Sequence, residues 1–129
     1  QFAVPLRYVV HASRLRHLTP IPGGPPYLLG ICALAGHIVS VLDVAAFLEL
    51  RHRGLQDVAC CLVVSVEGRE LGLCAERLLG IEDLPATAIL PWASVHGAIG
   101  QIATLETQRF LILDLQQLLL DPRLSEEKH

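Results

Sequence analysis

The chain has 129 residues, enough for one domain or for two very small units sharing a core. It is 52% hydrophobic and 18% charged, a composition that excludes a disordered chain and supplies ample material for a packed interior. The net charge of −3 is uneven: residues 1–53 carry five arginines against two acids, residues 54–129 five basic residues against eleven acids. The basic first half suits an acidic partner. Nucleic acid is excluded as a partner, because no Lys/Arg cluster is interleaved with aromatic residues.

In chain order, Phe2 to Val10 reads as extended around Pro5, and Val9 to Leu18 as a short helical turn or a second strand. Thr19 to Tyr27, TPIPGGPPY, is a loop, since its prolines cannot donate to a ladder and its glycines permit tight turns. The nearly continuous apolar stretch GICALAGHIVSVLDVAAFL, Gly30 to Leu48, follows. Leu28 to Leu42 is too short for the roughly 20 residues that span a bilayer, and it contains His37 and meets Asp43. It therefore reads as strands, with no insertion into a membrane.

Glu49 to Gln56 is polar and ends the first half. Ala59 to Val66 is a strand by its β-branched content, Glu67-Gly68 a hairpin turn, and Glu70 to Ala75 the returning strand. Leu78 to Leu84 reads as a further extended piece stopped by Pro85. Ile89 to Gly97, including Trp92 as a buried ring anchor, reads as a loop. Ile99 to Leu105 and Arg109 to Leu113 are strands joined through Glu106, Thr107 and Gln108. Asp114 to Leu120 is a short helix, and the tail SEEKH frays.

Gly30 and Gly100 each open the same pattern: an apolar strand, a polar turn, an apolar run ending in Leu, an Asp, and an apolar helix start. Aligned on their glycines, the copies run thirteen residues to Asp43 and fourteen to Asp114, so one turn residue differs. Each copy is a β-hairpin followed by a helix that Asp43 or Asp114 caps, because a carboxylate accepts hydrogen bonds from the open N–H groups of the first turn. No His, Ser or Lys recurs beside either aspartate, so capping is favoured over catalysis.

Cys32, Cys60, Cys61 and Cys74 form no CxxC motif and lie in β-like runs, where neighbours such as Cys60 and Cys61 point to opposite faces. They read as reduced, buried thiols of a cytoplasmic protein. The six histidines show no HxH or HExxH spacing, and GxSxG, P-loop and GxGxxG motifs are absent. The sequence thus offers no catalytic residue, no metal site and no cofactor site. A small ligand in an apolar groove is the alternative of another class.

Three segments in the correct order carry a family resemblance. PGGPPYLLGICALAGHIVSVLDV resembles the CheW-like domain pattern of a Pro-containing loop, GVINLRG, VPVVDL and a short helix. ELGLCAERLLGIEDLP is similar to the segment GLLVDxVxEV, and GAIGQIATLETQRFLILDLQQLL to the closing hairpin and helix. The resemblance covers residues 2–120. It implies a mainly β fold: one domain over residues 1–129, made of two intertwined SH3-like five-stranded β-barrel subdomains with short helices and a groove between them. It implies a non-enzymatic adaptor that couples chemoreceptors to a CheA-type histidine kinase. Its partners would be the kinase's regulatory domain and the tip of a methyl-accepting chemoreceptor, at cytoplasmic receptor arrays. A variant of the same reading is one CheW-like module of a larger fused or array-localising protein.

By the same alignment the partner-binding positions are Val9, His11, Gly30, Leu34, Ala35 and Gly36. Gly30 keeps the family glycine and Val9 an apolar residue. Ala35 stands in place of the family arginine of NLRG, His11 in place of a glutamate, Ser40 in place of a proline and Glu76 in place of an aspartate. An alanine cannot replace the bidentate bonding of a guanidinium. The family's first strand, before the segment aligned with QFAVPL, is missing, so the first barrel is expected to lack an edge strand. Upstream residues or a strand-swapped homodimer would supply it.

Overall fold

A computed structural model describes residues 2–15, 18–34, 36–48, 60–75, 77–91 and 99–120. The chain divides into two compact units, one formed by residues 8–80 and the other by residues 1–7 together with 81–129.

The unit of residues 8–80 holds a five-stranded sheet of β2 (Val9–Arg14), β3 (Leu28–Leu34), β4 (His37–Leu42), β5 (Cys60–Val66) and β6 (Arg69–Ala75), in the order β2-β5-β6-β4-β3. Neighbours run antiparallel except β4 and β6, which pair in parallel at Val41↔Gly72 and Leu42↔Leu73. The turn Glu67-Gly68 closes the β5–β6 hairpin with φ of 51° and 82°. Both are left-handed, as a two-residue turn matched to strand twist requires. Alternation then buries Cys61 and Val63 in a cluster with Cys32, Val39 and Val41.

The other unit holds a four-stranded sheet of β1 (Phe2–Ala3), β7 (Ile89–Pro91), β8 (Ile99–Leu105) and β9 (Gln108–Leu113), in the order β1-β9-β8-β7. Its interior gathers Ala103, Phe110 and Ile112, with Ala3, Leu84, Ile89 and Leu105 packed against them. β1 pairs in parallel with β9. Phe2 and Ala3 lie at the margin of this second sheet, with Leu111 and Ile112 as their ladder partners.

Both predicted hairpin-and-helix copies are present. Helix α1 (Val44–Phe47) follows β4, and helix α2 (Leu115–Leu120) follows β9. Asp43 Oδ1 accepts from Ala46 N–H at 3.2 Å, and Asp114 Oδ1 accepts from Gln117 N–H at the same distance. Leu115, Leu118 and Leu119 form the buried stripe of α2 at helical spacing.

The strand register corrects the alignment of the copies. Leu28 pairs with Leu42 and Leu34 with His37, while Ile99 pairs with Leu113 and Leu105 with Gln108. Strand lengths are 7 and 6 residues in both hairpins. Leu28 therefore corresponds to Ile99, Leu42 to Leu113 and Asp43 to Asp114, a constant step of 71 residues with no difference in the turn. Each first strand also has an irregularity at one place, between Leu28 and Gly30 and between Ile99 and Gln101. Gly30 thus corresponds to Gln101, and Gly100 to Leu29. The two glycines occupy adjacent positions of the same bulge, which is why a comparison by glycines misplaced one residue.

The same step relates the flanks. Thr19 bridges Ile31 as Leu90 pairs with Ile102, and Pro20 corresponds to Pro91. Val41 meets Gly72 in parallel as Ile112 meets Ala3, so β1 takes in the second sheet the place that β6 takes in the first.

Other expectations change as well. The amino-terminal stretch is a two-residue strand and a 3₁₀ turn at Leu6–Tyr8 rather than one extended run. Ile89–Pro91 is a strand rather than a loop because β8 supplies its partners. Leu78 to Leu84 forms no ladder among the described residues, and Leu78, Leu79 and Ile81 are exposed. Trp92, the polar run from Glu49 to Gln56 and the tail lie outside the described residues.

Candidate functional site

Two groups of the aligned partner-binding residues lie on the five-stranded sheet. Val9 and His11 are half-buried on β2, paired with Val64 and Val63. Gly30 is on β3, Leu34 ends that strand, and exposed Gly36, with φ 81°, sits in the β3–β4 turn. Ala35 lies outside the described residues. The sheet order puts β2 at one edge and β3 at the other, so Gly30, Leu34 and Gly36 share one hairpin while Val9 and His11 lie on another strand.

Gly30 is buried, with φ 152°. Thr19 and Ile31 exchange backbone hydrogen bonds of 2.9 Å in both directions, and this bridge brings the Thr19 backbone directly over the Gly30 Cα. A Cβ there would overlap the Thr19 carbonyl oxygen and stand 2.8 Å from its carbon. The glycine is thus required for the Pro-containing loop to close on β3.

Asp43 anchors the far end of the hairpin. It is 1% exposed, its N–H donates to the Tyr27 carbonyl at 2.8 Å, and its carboxylate caps α1. The Tyr27 ring meets Phe47 edge-on, with centroids 5.0 Å apart. The loop before β3 and the helix after β4 are thereby locked together, and the hairpin stands on a fixed base.

The outer face of that hairpin carries an apolar pair absent from the alignment positions. Ala33 pairs with Ile38, both are exposed, and Ile38 shows 76% of its surface. The corresponding pair on the second hairpin is Thr104 and Arg109, also exposed but polar. Two hairpins of identical register thus differ in surface chemistry, and only the first displays a large apolar side chain there. The alternation of HIVSVLD holds the signal, placing Val39 and Val41 inside and Ile38 and Ser40 on the other face.

The cluster around Val39 and Val41 holds the thiols of Cys32 and Cys61. Burial, then the neighbouring Cys32 and Cys60, push the Cys61 thiol up from 9.0 to about 11. Among the described residues, no three His, Cys, Asp or Glu side chains are grouped to hold a metal ion, and no helix is long and apolar enough to cross a membrane.

The CheW-like domain model matches residues 1–123, and the chain belongs to that family. It is 30% identical over 92 residues to protein FrzA of Myxococcus xanthus, a match that covers 70% of this chain and 57% of FrzA. The chain thus spans just over half the length of that relative. The crystal structure of the scaffolding protein TtCheW from Thermoanaerobacter tengcongensis is similar with a TM-score of 0.74 at 20% identity, over 88% of this chain and 80% of that one. The mainly β, two-sheet architecture is accordingly the SH3-like fold of CheW.

Proposed function

We propose that this chain is a non-enzymatic adaptor of a bacterial chemosensory system that joins a CheA-type histidine kinase regulatory domain to a chemoreceptor tip. Family membership over residues 1–123 supports the adaptor class. The observation that carries the reading is the exposed Ala33–Ile38 pair beside Leu34 and Gly36, on a hairpin braced at its base by Asp43 and Tyr27. A rigid hairpin presenting an apolar side chain in a basic half of the molecule suits a protein surface with an apolar centre and an acidic rim. Gly30 serves this surface by holding the loop closed beneath it, while Val9 and His11 mark a second contact on β2.

The test is a pull-down of the purified chain with a CheA-type regulatory domain and with a receptor-tip fragment, repeated with Ile38→Asp. Ile38 is already in water, so the variant retains its fold while losing the apolar contact. Binding by the parent chain that falls at least tenfold in the variant supports the proposal. Binding to neither partner, or equal binding by both chains, refutes it.

A further inference from the structure

Cys61 and Cys74 face one another across the β5–β6 hairpin. Its two-residue turn makes the flanking Val66 and Arg69 a pair that exchanges both backbone hydrogen bonds, and the pattern alternates along the ladder. Cys61↔Cys74 lies five pairs further on, so it is a non-hydrogen-bonded pair. In such a pair the Cα atoms stand about 4.5 Å apart and the side chains approach most closely. A disulfide spans Cα separations of about 4.4–6.8 Å, so the backbone already meets its requirement.

The two sulfurs also share an interior. Cys61 is fully buried with Cys32, Val39, Val41 and Val63, and half-buried Cys74 packs against that cluster. Gly72, on the same face as Cys74, leaves space: a Cβ there would stand 2.8 Å from Cys61 Sγ. The Cys74 thiol donates to the Leu42 carbonyl at 3.2 Å, where β4 and β6 run in parallel and one residue before the cap Asp43.

We propose that Cys61 and Cys74 are a peroxide-oxidised pair that closes into a cross-strand disulfide. Hydrogen peroxide oxidises the Cys74 sulfur to a sulfenic acid and releases one water. The Cys61 sulfur then attacks it, the S–S bond forms, and the hydroxyl leaves with the Cys61 proton as a second water. Two thiols are oxidised and one peroxide is reduced. Cys74 takes the first step because its residue is half-buried whereas Cys61 is fully buried. Cys61 is the resolving partner, since burial shields it from direct attack by peroxide. It attacks as the thiolate, so its raised pKa makes the closing step faster as pH rises toward about 11. Closing the bond draws Cys74 away from Leu42, so oxidation reaches the strand that leads into Asp43 and α1.

The test is peroxide treatment of the native protein, alkylation of remaining thiols, and tryptic digestion with mass spectrometry. Cleavage after Arg53, Arg69 and Arg77 places Cys61 in residues 54–69 and Cys74 in residues 70–77. The expected result is a link between these two peptides that fragmentation assigns to Cys61, with two alkylation sites lost and both restored by dithiothreitol. The link should persist in Cys60→Ala and vanish in Cys74→Ala. A link through Cys60 or Cys32, over-oxidation of Cys74 beside an intact Cys61 thiol, or no link at all overturns the proposal. The wild-type digest decides the point even where a variant fails to fold.

Discussion

Replacing Gly30 by alanine isolates the cost of the loop closure that braces the β3–β4 hairpin. The new Cβ would overlap the Thr19 carbonyl oxygen and stand 2.8 Å from its carbon, and both atoms are backbone, so no side-chain rotation relieves the clash. The structure yields by opening the Thr19–Ile31 bridge, whose two 2.9 Å hydrogen bonds contribute about 0.5–1.5 kcal/mol each. Alanine at φ 152° adds roughly 1–3 kcal/mol of backbone strain. The expected loss is about 2–6 kcal/mol. Gly36→Ala is the internal control: its φ is also positive, at 81°, but nothing lies within 4 Å of the added carbon, so only the strain remains. Urea denaturation gives both values, and amide hydrogen exchange at Thr19 and Ile31 reports the bridge directly. An equal loss in the two variants, or Thr19 and Ile31 amides still protected in Gly30→Ala, would refute the reasoning.

Three further outcomes follow from the same geometry. Asp43→Ala should destabilise by about 2 kcal/mol and Asp114→Ala by about 1 kcal/mol, because both cap a helix but only Asp43 is also buried; thermal or urea unfolding compares them. Glu67→Asn should stabilise by roughly 0.5–1 kcal/mol, since asparagine tolerates the left-handed conformation that glutamate adopts at φ 51° before Gly68, and a raised urea midpoint is the readout. The Cys61 thiol is raised from 9.0 to about 11, so the folded state holds its proton more tightly than the unfolded chain. Its contribution is fully present below pH 9 and is lost as pH rises through about 11, a loss of about 2–3 kcal/mol. Urea unfolding across that range should show a steeper decline in the parent than in Cys61→Val, and parallel curves would disprove the assignment.

How much of the site was legible follows from distance along the chain. Gly30, Leu34 and Gly36 fall on one hairpin as the alignment implied, because hairpins are written in neighbouring residues. That Gly30 lies under Thr19 was not legible, since the close approach is made by a loop eleven residues earlier folding back. Ile38 was read as one more apolar residue in a greasy stretch. Its exposure depends on which alternate face the sheet turns inward, and the cluster around Val39 and Val41 settles that.

The sequence by itself determined the units that close locally: the Glu67-Gly68 turn, the two hairpins and the aspartates that cap α1 and α2. Each rests on contacts within a few residues, where turn geometry and capping leave few alternatives. Tertiary structure decided the rest. It placed Phe2 and Ala3 beside β9, made a strand of Ile89–Pro91, denied one to Leu78–Leu84, and fixed the 71-residue step between the copies. The physical reason is that a strand exists only by the partner that satisfies its N–H and C=O groups. Where that partner is distant in sequence, as in the parallel pairs β1–β9 and β4–β6, residue preferences cannot name it.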